Sequence, residues 1–275
     1  MLATSELITF LQGEPWNNLT YVAPPPARDV VGMSDPIERK LLSWLTSALY
    51  AGVGEIVELG TFLGASSVSL ASGLQSNPHL RPEQKSKRIN VFDQFKGTFE
   101  SDYITKYTKF TLDEDGGFLG IHAAQTAAFK DYLKVTKANV SHVTWDGRPI
   151  ELLYVDVMKD PFVTANVVRQ FFPSLDVGSI LIMQDYLFHT LPYSVVVMEY
   201  FEEYFTRGGD TGRGNVIFVC HKKVPATMTA EFTWLGMTRD QRLHYLMQAM
   251  SKQRTHLHRE FVAHLISDFV TGKYT

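Results

Sequence analysis

A chain of 275 residues with 45% hydrophobic and 20% charged side chains is long enough to bury a full core and too apolar to be disordered. Its formal charge of −3 excludes a basic surplus for nucleic acid, and its single cysteine, Cys220, excludes an internal disulfide framework or a multi-cysteine zinc site and fits a reducing, cytoplasmic setting. No apolar run approaches the roughly 18 residues that span a bilayer, and the N-terminus lacks the basic and apolar regions of a signal peptide, so none is expected.

Residues 1–34 open with a short amphipathic stretch and run through "APPPARD", whose three prolines predict an extended linker, so this segment is expected to be an arm or cap. A helix is well signalled at "SDPIERKLLSWLTSALY": Asp35 is placed to cap it, Pro36 takes the first helical position and Glu38 completes a capping box. From Glu55 onwards short apolar runs alternate with helical patterns. Strands are predicted at "EIVELG", "RINVFD", "NVSHVTW", "IELLYVD", "SILIMQD" and "NVIFVCHK"; helices at "ASSVSLASGLQS", "GIHAAQTAAFKDYLKVT", "PFVTANVVRQFFPSL" and "YSVVVMEYFEEYF". This alternation predicts a doubly wound α/β domain over 35–225, with a mostly parallel sheet covered by helices on both faces. The long segment between Asp93 and the next helix reads as a lid or binding loop. Residues 226–275 read as a helical extension, one or two helices that pack on the core or on a second copy in a dimer. The histidines there, His244, His256, His258 and His264, lack the spacing that puts two ligands on one helix face and are expected on solvated faces.

The stretch "VELGTFLGASS" ends a strand candidate in a turn with two glycines four apart. Gly60 permits a sharp turn, Thr61 and Phe62 complete it, Gly64 permits close approach of a ligand, and Ser66 and Ser67 lie in the first turn of the following helix. The G-x-x-x-G spacing differs from the dinucleotide fingerprint, and no lysine follows as a P-loop requires. Glu58 before the turn would repel a phosphate and suits a cation such as an ammonium or sulfonium. Asp93, at the tip of the adjacent strand with Gln94 beside it, suits a ribose diol. A cationic amino-acid end and a ribose end together describe S-adenosylmethionine. A tight strand-to-helix turn without a ligand is the alternative reading of the glycines.

With "VFDQF", "LLYVDVMKD" and "SLDVGSILIMQDY" following in order, the chain resembles the seven-strand, Rossmann-like S-adenosylmethionine-dependent O-methyltransferases over roughly residues 55–190. The catechol and caffeoyl-CoA type and the metal-dependent sugar O-methyltransferases of antibiotic pathways are the nearest in kind. The resemblance implies methyl transfer to a hydroxyl of a small-molecule acceptor. It also implies a divalent cation, such as Mg²⁺, on Asp156, Gln184 and Asp185, with Gln184 standing where those families commonly carry Asp, a change that weakens the site. Lys159 matches the lysine base in "D-x-x-K-D", and His189 is a second candidate base. Asp156 is also placed at the cofactor end of the pocket, as is Trp145. Trp145, Phe162, Tyr186 and Phe188 either line an apolar pocket or pack the core. N-methylation, or a non-catalytic cofactor-binding subunit of an oligomer, remains the alternative function. His122 and His142 are expected to be packing or surface residues, and Cys220 a buried structural thiol.

Overall fold

A computed structural model of the protein describes residues 2–18, 20–187, 191–212 and 214–273. Seven strands form one mixed sheet in the order β3-β2-β1-β4-β5-β7-β6, with β1 Glu55–Leu59, β2 Ile89–Asp93, β3 Leu133–Lys137, β4 Ile150–Val155, β5 Leu175–Met183, β6 Phe205–Asp210 and β7 Val216–Cys220. This is the expected α/β, Rossmann-like sheet with helices around it. No helix among the described residues is long and apolar enough to cross a membrane.

The chain divides into two compact units, one of Glu14–Val143 with Arg148–Tyr154, the other of Leu2–Gly13, Thr144–Gly147 and the residues from Val155 onward. In the first, β1 is buried along its whole length and pairs in parallel with β2, Ile56 opposite Ile89, while β2 pairs in parallel with β3, Ile89 opposite Leu133. A strand buried on both faces is mostly apolar, as Ile56, Val57 and Leu59 show, and its buried Glu55 and Glu58 are the exceptions. In the second unit β5 and β6 both run antiparallel to β7.

Asp35 caps helix Pro36–Trp44 by accepting from Glu38 N at 2.9 Å, as the sequence implies. Glu38 does not close a capping box: its carboxylate accepts instead from the Tyr154 hydroxyl. Pro25–Asp29 is helical rather than extended, because Pro25 and Pro26 occupy first-turn positions where a backbone N–H has no intrahelical partner to lose. The segment 94–118 carries a helix of its own, Thr98–Tyr107.

Two strands depart from expectation. "NVSHVTW" is not a strand, since the Asn139 side chain accepts from Ser141 N at 2.9 Å and closes a 3₁₀ turn at Val140–His142. The strand lies upstream, at Leu133–Lys137, in what reads as the tail of a helix. It is an edge strand with exposed lysines, which protect an unpaired edge and hide the β signal. Likewise β6, "FTRGGD", has no strand-like composition, and the helix before it stops at Tyr200. Its backbone is held from outside, with Gln12 Nε2 donating to Arg207 O at 3.2 Å.

The extension beyond residue 225 contains helices Ala226–Glu231, Arg239–Ser251 and His256–Val270. His258 is buried, 3.8 Å from Asp210 Oδ1, and not on a solvated face as expected; His256 is exposed and pairs with Glu260. Cys220 is buried in β7, and burial pushes its thiol up to about 11, which leaves it inert at neutral pH.

Candidate active site

In the first unit the chain leaves β1 through Gly60 at φ 84° and enters helix Ala65–Ser76 through Gly64 at φ 95°. A Cβ on Gly64 would stand 2.8 Å from Thr126 Cγ2 and 3.0 Å from His122 Cδ2, so both conformation and space require glycine. The turn is fastened by Asp93. Its Oδ2 accepts from Thr61 N at 2.8 Å and Phe62 N at 3.0 Å, and its Oδ1 from Phe95 N at 2.6 Å. A strand-end carboxylate thus meets backbone amides of two loops and brings the end of β2 against the turn after β1. Asp93 is half-buried and Gln94 exposed, so both reach the surface beside the turn.

Glu58 corrects the expectation of a cationic ligand on its carboxylate. It is completely buried, and its two oxygens accept from the hydroxyls of Ser66 and Ser67 at 2.5 Å each. Thr61 Oγ1 lies 2.7 Å from Ser67 Oγ, extending the network. With no exposed surface, the carboxylate fastens the turn through these hydroxyls. Ser66 and Ser67 are buried in the same network and face Glu58. Phe62 is the half-buried member of the turn; its ring meets Tyr103 and Phe118 edge-on at 5.7 and 5.3 Å, joining the turn to the 94–118 segment. Beneath them Leu63, Phe95, Ile104, Phe118 and Ile121 form an apolar cluster. His122 is a packing residue as expected: its ring lies 5.0 Å from Phe95, and burial lowers it to about 4, so it is neutral.

Burial raises the Glu58 carboxyl from 4.5 to about 7, against the serine hydrogen bonds that favour the anion. The folded state therefore binds more protons than the unfolded one between those values. Stability from protonated Glu58 is complete below about pH 4.5 and is lost as pH rises through about 7. Glu58→Gln, which carries no titrating group, is expected to reduce the fall in stability between pH 5 and pH 8 by up to about 3 kcal/mol. Urea midpoints at the two pH values measure it. An unchanged fall in the variant would assign the pH dependence to other groups.

In the second unit Asp156 follows β4 and Lys159 stands three residues on. Lys159 Nζ lies 2.9 Å from Asp156 Oδ1 and 3.7 Å from Asp185 Oδ2, with the lysine about half exposed and the carboxylates about a quarter exposed. Asp160 fixes the approach by capping helix Pro161–Phe171, accepting from Phe162 N and Val163 N at 2.8 and 2.9 Å. On the other strand, Gln184 N donates to Val155 O at 3.0 Å, and Asp185 adopts φ 57°, a left-handed conformation uncommon outside glycine that aspartate tolerates better than most residues. Burial pushes the Asp185 carboxyl up, while Lys159 and a hydrogen bond from Gln184 pull it back. Gln184 Oε1 is buried with no hydrogen-bond partner.

This donor set fits a divalent cation poorly. The two carboxylates share the Lys159 ammonium, and the third expected ligand is an uncharged amide, whereas Mg²⁺ favours several hard, anionic oxygens in an octahedral array. Among the described residues no group of three or more His, Cys, Asp or Glu side chains is arranged to hold a metal ion. The expectation of a metal on Asp156, Gln184 and Asp185 is therefore not sustained.

Trp145 is a core residue, buried with its ring 5.8 Å from Phe171, and Tyr186 is likewise buried against Phe218. Phe162 is exposed. The expected base His189, with Phe188, lies outside the described residues. Sequence reasoning passed over Arg39 and Gln125, which bind the segment before the first strand; nothing in their spacing marks them.

Residues 57–186, from β1 through the turn to the loop after β5, match the family described as methyltransferase domain. In fold the chain is similar to CalS11, a TDP-rhamnose 3′-O-methyltransferase of calicheamicin biosynthesis, at 16% identity and TM-score 0.50 over 78% of this chain and 93% of that one. It is also similar to the SAH-bound methyltransferase PaMTH1 of Podospora anserina, at 12% identity and TM-score 0.48 over 81% of this chain and 98% of that one. A further similar structure is the O-methyltransferase NovP, at 14% identity and TM-score 0.46 over 80% of this chain and 98% of that one. No curated protein matches. The fold and the matched segment define a methyltransferase domain of Rossmann-like architecture. Residues 57–186 carry this domain, a little under half of the chain.

Proposed function

We propose that the protein transfers the methyl group of S-adenosylmethionine to a hydroxyl oxygen of a small-molecule acceptor of the phenol, sugar or other natural-product class. The observation that carries this reading is the Gly60–Gly64 turn fastened by Asp93 inside a methyltransferase domain. In this reading the backbone of the turn, with Asp93 and Gln94 at the surface, holds the cofactor. Asp156, Lys159 and Asp185 serve the acceptor, and the unpartnered Gln184 Oε1 accepts a hydrogen bond from it. The acceptor oxygen attacks the methyl carbon, the carbon–sulfur bond breaks, and the sulfonium becomes the neutral thioether of S-adenosylhomocysteine. The hydroxyl proton passes to Lys159 as its own ammonium proton moves to a carboxylate of Asp156 or Asp185, so the cluster gains one proton in all. Alignment of oxygen, carbon and sulfur supplies about 7 kcal/mol of the barrier reduction. Residues 35–225 are read as the transferase domain, with 1–34 an arm and 226–275 a helical extension.

Calorimetric titration with S-adenosylhomocysteine tests the cofactor site, and a screen of phenols and nucleotide sugars for methyl transfer tests the acceptor. Micromolar binding and transfer that persists in EDTA are expected, because the cluster carries its own cation in Lys159. Folded protein that binds no S-adenosylhomocysteine would sink the reading and favour a non-catalytic partner; loss of transfer in EDTA, restored by Mg²⁺, would return the metal.

A further inference from the structure

Residues 30–34 have no regular secondary structure, yet they lie against the first residue of helix Ala65–Ser76: a Cβ built on Gly32 would stand 2.6 Å from Ala65 Cβ. Only glycine permits this approach. One side chain joins the segment to the glycine turn, because Gln125 accepts from Val31 N at 2.9 Å and donates to Val31 O at 3.0 Å and to Leu63 O at 2.7 Å. A second side chain sets its path. Arg39 Nη1 donates to Arg28 O at 3.0 Å and Val30 O at 2.8 Å, with Ala27 O at 3.4 Å; Nη2 reaches Gly32 O at 3.3 Å; and Nε reaches Ser34 O at 3.0 Å and Ser34 Oγ at 3.1 Å.

Arg39 is nine-tenths buried, and its charge is met by these carbonyl dipoles with Asp35 and Glu38 nearby. A planar guanidinium with all three nitrogens directed at successive carbonyls fixes the backbone of a loop that has few ties of its own. Lysine, a compact charge with one nitrogen, cannot span the same set.

We propose that Arg39 is a positioning residue for the cofactor: it holds residues 30–34 as a strap against the Gly64–Ala65 corner, where the strap forms one wall of the cofactor site. The inference rests on the cofactor reading of the glycine turn above. The strap makes no part of the sheet, so its release leaves the core intact and changes the site.

The test is calorimetric titration of the full chain with S-adenosylhomocysteine, paired with hydrogen exchange. Arg39→Met and Arg39→Lys are expected to weaken binding by about tenfold or more through lost preorganisation. Amides of residues 28–34 should exchange faster in both, with those of β1 and β2 unchanged. Gly32→Ala tests the same wall without touching Arg39 and is expected to weaken binding comparably. Adding Ala65→Gly to Gly32→Ala removes the facing Cβ and should restore affinity to within about threefold, an effect that general destabilisation would not produce. If Arg39→Met does not fold, the Gly32 and Ala65 pair decides alone. Wild-type affinity in Arg39→Met and Gly32→Ala, with the strap exchanging freely in the former, overturns this inference and leaves the transferase reading standing. Wild-type protein that binds no S-adenosylhomocysteine overturns both.

Discussion

Lys159→Met is expected to lower methyl transfer by roughly 10² to 10⁴, the range of a positioned proton-transfer group, while S-adenosylhomocysteine affinity stays within about threefold of wild type. The ammonium stands between two carboxylates, 2.9 Å from Asp156 Oδ1 and 3.7 Å from Asp185 Oδ2. Removing it withdraws both the group proposed to meet the acceptor hydroxyl and the positive charge that offsets the upward push of burial on the Asp185 carboxyl. Lys159→Arg separates these two roles. Its guanidinium keeps the charge between the carboxylates and does not exchange its proton at accessible pH. Arginine is therefore expected to restore the environment of Asp185 but not the rate. The measurement is kcat at saturating S-adenosylmethionine, with an acceptor from the screen. A rate for Lys159→Arg near wild type would make the residue an electrostatic holder of the acceptor and move the base elsewhere.

Local signals in this sequence were strongest where short-range chemistry decides the structure. The helix written as "ASSVSLASGLQS" has the same bounds in the structure, Ala65–Ser76, because the glycine before it supplies the left-handed residue at which it must begin. Asp35 caps helix Pro36–Trp44 by an equally local contact, its side chain accepting from Glu38 N three residues on. Structure that depends on distant partners was not legible. β3 carries the lysines of an edge strand and reads as helix, and β6 is held by a helix about 200 residues away in sequence, through Gln12. The buried His258 lies 3.8 Å from Asp210, which no spacing rule links to it.

In the site, residue types were legible and the direction of their oxygens was not. Asp156 and Lys159 are three apart, so their pairing follows from local spacing, whereas the share taken by Asp185 depends on a positive φ at the end of another strand. Glu58 illustrates the limit most plainly. A carboxylate before a glycine turn suits a cation, but two serines in the first turn of the following helix present hydroxyls to its two oxygens at 2.5 Å each. A buried carboxyl with local donors is satisfied by them first. In the proposed site, what the turn offers the cofactor is thus its backbone and Asp93.

Asp93→Ala is accordingly expected to reduce S-adenosylhomocysteine affinity by at least about a hundredfold and to lower folding stability by about 2–4 kcal/mol, the cost of orphaning amides that one carboxylate had served. Those amides belong to Thr61, Phe62 and Phe95, and two of the three residues are held at positive φ, Phe62 at 52° and Phe95 at 51°. Bulky residues persist in that region only where their surroundings over-determine it, at a cost of about 1–3 kcal/mol each. The carboxylate is that constraint, so its loss relaxes both loops at once and displaces the backbone proposed to meet the cofactor. Asp93→Asn retains one acceptor oxygen. Oriented towards Thr61 and Phe62 it keeps the turn after β1 and sets its amide group against the Phe95 N–H, so affinity is expected to fall about tenfold rather than a hundredfold. Calorimetry gives the affinities and urea denaturation the stabilities. Equal losses in Asn and Ala would mean that the negative charge faces the cofactor directly; a graded loss that tracks stability would mean that Asp93 acts by shaping the turn.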